Sequence, residues 1–143
     1  MWPFKKRDSA LLQLPIDGPW SISEGHHNGE AIIVRTNEGY RALKAVAGYE
    51  HQVGIAVPRN HGESELSRLA EMEDFICASL EKEVLALFVA SVTSATMREL
   101  VFYTRQSQIV EQRVSSIREI ITSHEVQLMI QLDKTWSVYS QLR

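Results

Sequence analysis

The chain has 143 residues, 44% of them hydrophobic, which supplies enough apolar surface for one packed domain. With 15 Lys and Arg against 18 Asp and Glu, the formal charge is -3, so no general basic field attracts a nucleic-acid backbone. The single cysteine, Cys77, has no partner for an internal disulfide, and no apolar run reaches the roughly 18 residues that span a bilayer; a cytoplasmic protein is expected.

Residues 1–19 read as a tail and linker, and residues 20–143 as a single α+β domain. Trp2, Phe4, Lys5, Lys6 and Arg7 form the one segment suited to an anionic membrane surface, at about 1 kcal/mol per basic residue. Pro15, Gly18 and Pro19 then break the chain. Trp20-Ser21-Ile22-Ser23 alternates, Gly25 to Gly29 supplies turn residues, and Ala31 to Val34 is apolar and β-branched, which predicts a hairpin. Tyr40 to Tyr49 fits either a helical turn or an irregular strand.

From His51 to Lys134 the pattern is strand, helix, strand, strand, helix, strand. Val53, Ile55 and Val57 alternate along the first strand, and Pro58 to Gly62 ends it. Leu66, Leu69, Ile76 and Leu80 mark the first helix, whose start is read at Ser64 with Glu63 and Glu65. Val84 to Thr93 and Arg98 to Thr104 are predicted strands, Val110, Val114, Ile117 and Ile121 mark a second helix, and Val126 to Leu132 a last strand. This order is that of a ferredoxin-like split βαβ domain (β-α-β-β-α-β, residues 51–134), preceded by the hairpin and followed by a short helical turn. Leu85 to Ala90 and Leu100 to Tyr103 are unbroken apolar runs, as in strands buried on both faces. Two helices cover one face. The hairpin, the C-terminal aromatics, or a second copy in a homodimer must cover the other.

Within that frame Glu73 occupies an apolar position of the first helix, since 66, 69, 73, 76, 80 keeps the three-four spacing. It is either a desolvated carboxylate available to bind a ligand or move a proton, or one satisfied by a nearby arginine, hydroxyl or free backbone N–H, for which Arg98 and Arg113 are the candidates. Asp133, Trp136 and Tyr139 share one side of a helical turn, with Asp133 placed to cap it through the N–H of Thr135 or Trp136 and the rings placed to close the domain. No metal site is expected: His26-His27 is an adjacent pair in a turn, and no histidines stand at the i, i+4 helical spacing. No cofactor loop or nucleophile elbow is present. The strand Arg98 to Tyr103 lacks the glycines of an RNA-recognition strand and carries Glu99.

Three pieces stand in order: Glu65-x-x-x-Leu69 with Glu73-Asp74, Val92-Thr93 leading to Arg98-Glu99-Leu100-Val101-Phe102-Tyr103, and the closing Asp133, Trp136 and Tyr139. Over the last two-thirds of the chain they resemble the bacterial family known as domain of unknown function 695, the spaced Asp-Trp-Tyr ending being the most specific part. The architecture is also similar to the regulator of ribonuclease E activity B proteins, small acidic α+β inhibitors, whose histidine and aspartate pattern this chain lacks. The resemblance implies a fold and no mechanism. The expected function is therefore a non-enzymatic cytoplasmic module that binds or regulates a protein partner. The alternatives are a small-molecule or hydrolytic site built from Glu73, Arg98, Trp136 and Tyr139, or an immunity-type inhibitor of a toxin.

Overall fold

The computed structural model describes residues 13–143, so Trp2, Phe4, Lys5, Lys6 and Arg7 lie outside the described residues. Strands β1 (Trp20–His27) and β2 (Glu30–Asn37) form the hairpin, turning at Asn28 and Gly29 with φ of 53° and 79°. Both turn residues are left-handed, the geometry that matches the twist of a two-residue hairpin. The turn is tighter than Gly25 to Gly29, because β1 stays in register with β2 as far as His27 opposite Glu30. A short 3-10 helix (Glu38–Leu43) and irregular chain lead to β3 (His51–Pro58), α1 (Glu65–Glu81), β4 (Ala86–Thr93), β5 (Met97–Thr104), α2 (Ser107–Ile120), β6 (Gln127–Leu132) and α3 (Ser137–Leu142).

The protein is α+β, with one six-stranded antiparallel sheet in the order β1-β2-β4-β5-β3-β6. That order is more complex than a four-stranded sheet. The hairpin does not lie over the second face, one of the covers expected of it: β2 pairs with β4, Val34 opposite Val92, and the hairpin lengthens the sheet at its edge.

One face packs on α1 and α2. Val53, Ile55 and Val57 meet Leu69, Ile76 and Val114 there, and Cys77 is half-buried at the margin. The helical stripe differs from the expected one at its start, for Leu66 is 52% exposed while Glu65 is 2% exposed. The 3.6-residue repeat counted back from Leu69 falls on Glu65.

The other face has its own core of Tyr40, Tyr49, Val101, Tyr103, Trp136 and Tyr139, all buried. Its cover comes from the segment between β2 and β3 and from α3. A β-bulge between Phe88 and Ala90 fits the continuous apolar run of β4 to both cores. The described end of the segment read as a linker also reaches this layer: Leu14 and Ile16 pack on it, and the Ile16 N–H donates to the Tyr40 hydroxyl at 2.8 Å. Over Leu87 and Val89 of β4 and Tyr103 of β5 the chain covers its own second face. The reason for expecting a second copy is removed there, and the fold gives no support for a dimer.

Candidate functional site

Glu73 projects from α1 toward the sheet and is 9% exposed. Arg35, on β2, reaches both of its oxygens at 2.6 Å, and Arg98, on β5, lies 3.4 Å from Oε1. Arg35 also donates to Ser91 Oγ and stands over the Trp20 ring, while Arg98 donates to Thr93 Oγ1. Burial lowers the pKa of the Arg98 guanidinium, and Glu73 opposes that shift. Every oxygen of Glu73 is therefore engaged by a fixed cation, which leaves no free carboxylate for a substrate. Arg113 is not a partner. It donates to the carbonyls of Ser79 and Lys82 at the end of α1.

Asp133, Trp136 and Tyr139 do converge, and with residues far away in sequence. Trp136 is 0% exposed, stacks on Tyr103 with centroids 4.2 Å apart, and donates its indole N–H to the Tyr49 carbonyl at 2.8 Å. Tyr139 meets it edge-on and donates its hydroxyl to the Asn37 carbonyl. Asp133 accepts from the N–H groups of Ser137 and Val138, and from the Ser137 and Tyr103 hydroxyls. The donors are thus two residues further on than Thr135 and Trp136, because Trp136 takes a left-handed conformation before α3 begins. Burial pushes the Asp133 carboxyl up, but these hydrogen bonds outweigh it and hold the group below the usual carboxylate range. None of the three side chains is placed at Glu73 or Arg98: they lie in the opposite layer.

The more open feature is on that opposite face. Beside α3 the sheet carries a groove of about 390 Å³, with Ile32, Val92, Met97 and Val101 on its floor and Val138 and Leu142 on its wall. A second depression of about 210 Å³ continues it over Gly54, Ala56 and Met129. Glu99 lines both. Its strand neighbours are Val92 on β4 and Ala56 on β3. Burial raises its pKa, and no hydrogen bond or neighbouring charge among the described residues offsets that. Arg98, next in sequence, points to the helix face, because successive strand residues alternate.

A family model described as a family of unknown function, DUF695, matches residues 19–142. The chain belongs to the DUF695 family. No match is found among curated proteins or solved structures. The resemblance drawn from the last two-thirds of the sequence thus extends to the hairpin, which the family match includes whole.

Sequence reasoning about this DUF695 chain overlooked Arg35, Glu65, Tyr103 and His124 as polar partners. His124, which is buried, has Nε2 2.7 Å from Glu65 Oε2 and Nδ1 2.8 Å from Ser123 Oγ. Burial pushes Glu65 up, but the Asn60 N–H and His124 bring it below its ordinary value; its Oε1 has no partner among the described residues. This pair ties the start of α1 to the chain before β6. The only signal in the sequence was a carboxylate one turn before Leu69. Among the described residues no group of three His, Cys, Asp or Glu side chains is arranged to hold a metal ion, and no helix is long and apolar enough to cross a membrane.

Proposed function

We propose that this DUF695 protein is a non-enzymatic module, acting in the cytoplasm, that binds a protein partner along the groove on the second face of its sheet. The observation that carries this reading is an apolar trough, about 390 Å³ in its larger part, in which the Glu99 carboxylate has no partner among the described residues. The rival site around Glu73 has less support, since Arg35 and Arg98 occupy its carboxylate and the aromatics lie on the other side of the sheet. In the same reading, the unit from β3 to β6 is a ferredoxin-like split βαβ: its strands run β4-β5-β3-β6, with both helices on one face. The hairpin then serves to widen the sheet and form one end of the trough, where His27 and Glu30 stand.

Affinity capture from the native host, run in parallel with wild-type protein and Val92→Arg, tests the reading. Val92 is the cross-strand neighbour of Glu99, so an arginine there fills the trough and gives the carboxylate an internal cation. A protein held by the wild type and lost by the variant, with both equally folded by circular dichroism, is the expected result. Equal capture by both, or capture by neither, overturns the assignment.

A further inference from the structure

We infer that the partner presents a basic side chain to Glu99, flanked by aliphatic residues that lie along the trough; this rests on the reading of the trough as a docking surface. The argument begins with what surrounds the carboxylate. Glu99 stands between Val92 and Ala56 on the neighbouring strands, with Met97 and Val101 two residues away on the same face. A carboxylate among apolar groups has lost part of its hydration, and without a counter-charge that loss is uncompensated. An incoming cation restores it, whereas a neutral or anionic group leaves it or worsens it. The cations that would quench Glu99 internally, Arg35 and Arg98, are committed to Glu73 on the opposite face. Among the described residues no cation stands at Glu99, so the charge is left to the ligand.

The shape of the surface suits a long basic side chain. Opposite β5, the strand β3 carries only Gly54 and Ala56 beside this part of the trough, so the sheet dips between Glu99 and Met129. A Cβ built at Gly54 would stand 3.5 Å from Glu99 Oε1, 3.5 Å from the Gln52 amide nitrogen at the end of the dip and 3.4 Å from Met129 Cε, which is ordinary contact distance. The missing methyl is the floor of the dip. An aliphatic stem can lie on that floor while its charged head meets the carboxylate, the way long cationic side chains cover apolar surface. A metal ion is a poorer occupant: His27 and Glu30 also line the trough, at its hairpin end, but no three His, Cys, Asp or Glu side chains among the described residues are arranged to hold an ion. A polypeptide segment fits better than a compact metabolite, since the trough continues across three strands, from Val92 on β4 over Glu99 on β5 to Gly54 and Ala56 on β3.

Two tripeptide probes test this, acetyl-Leu-Lys-Leu-amide and its analogue with norleucine for lysine, which keeps the stem and lacks the ammonium. Each is titrated into labelled protein and followed by NMR at the amides of Gly54, Glu99 and Val101. The expected result is about tenfold tighter binding of the lysine peptide to the wild type, with the two peptides binding equally to Glu99→Gln. Gly54→Ala, which fills the dip without forcing the backbone, is expected to weaken both. Equal binding of the two peptides to the wild type overturns the basic side chain and leaves the docking surface standing. Failure of both peptides to perturb these amides overturns the docking surface itself. Tighter binding of spermidine than of the lysine peptide at the same amides replaces the polypeptide with a free polyamine and overturns the inference.

Discussion

On the helix-covered face Glu73 is clasped by Arg35 and Arg98, whereas on the other face Glu99, one residue from Arg98, stands among valines and an alanine with no cation from the described residues. Strand alternation makes the contrast: the adjacent charges of Arg98 and Glu99 are turned away from each other, so they cannot pair. The pair on the first face closes a core. On the second, Glu99 makes no hydrogen bond or ion pair with the described residues, and such a group is informative because its burial is unfavourable unless something else binds it. The second face is itself divided, into a sealed part around Trp136 and an exposed trough beside it.

The largest effect is expected in the sealed part. Trp136→Ala removes a fully buried ring, its stack on Tyr103 and its hydrogen bond to the Tyr49 carbonyl, and should destabilise the protein by about 3–5 kcal/mol. Chemical denaturation reads this directly. A loss below about 1 kcal/mol would mean that the aromatic layer does not close the domain, and the division of the second face would fail.

Next comes Glu73. Glu73→Leu leaves two guanidinium groups facing apolar surface, a situation that costs 3–5 kcal/mol when fully buried; since Arg35 is about one-third exposed, about 2–3 kcal/mol is expected. Glu73→Gln keeps an acceptor for both arginines and should lose about 1–2 kcal/mol, the worth of hydrogen bonds to a charged group. Denaturant midpoints rank the two variants. If leucine proves the milder change, the first face resembles the second, and the contrast between the carboxylates disappears.

How much of this was legible depends on periodicity. The helix-covered core follows from repeats at three and four residues, and α2 buries Val110, Val114 and Ile117 as its spacing predicts. The second cover has no period to read: Tyr40 and Tyr49 come from a 3-10 turn and irregular chain, and the Tyr40 ring and the Tyr49 carbonyl meet Trp136 across a large sequence separation. Arg35 was missed as the partner of Glu73 because it reaches α1 only after β2 pairs with β4, a register that neither strand announces. Glu99 was visible only as a charge in an apolar strand. Which face it occupies, and that Gly54 and Ala56 leave space beside it, depend on pairing with β3.

A smaller effect belongs to Asp133. Its folded pKa lies below the ordinary value, so the unfolded chain binds more protons, and its contribution is present above the unfolded pKa of about 3.9 and lost as pH falls through the folded value. Asp133→Asn keeps one acceptor oxygen but weakens four hydrogen bonds, and about 1–2 kcal/mol should be lost at neutral pH. In melts between neutral and acid pH, the variant should show a smaller decline than the wild type. An equal decline would place the acid sensitivity elsewhere, with Glu65 as the next carboxylate to test.

The smallest effect carries the opposite sign. The Glu99 pKa is raised by burial, so the folded protein binds the proton more tightly than the unfolded chain, and stability falls as pH rises from the unfolded value of about 4.3 through the folded one. Glu99→Gln removes the charge and keeps the shape. It should stabilise the protein at neutral pH by up to about 1 kcal/mol, or about 3 °C in melting temperature for a domain of this size. Below about pH 3, where the wild-type carboxyl is protonated in both states, the two melting curves should coincide. A gain in stability that accompanies a loss of binding is the pattern of a residue retained for a ligand at the expense of the fold. Destabilisation by Glu99→Gln at neutral pH would mean that a donor within the chain already satisfies the carboxylate, and the trough would then have no unmet charge to offer a partner.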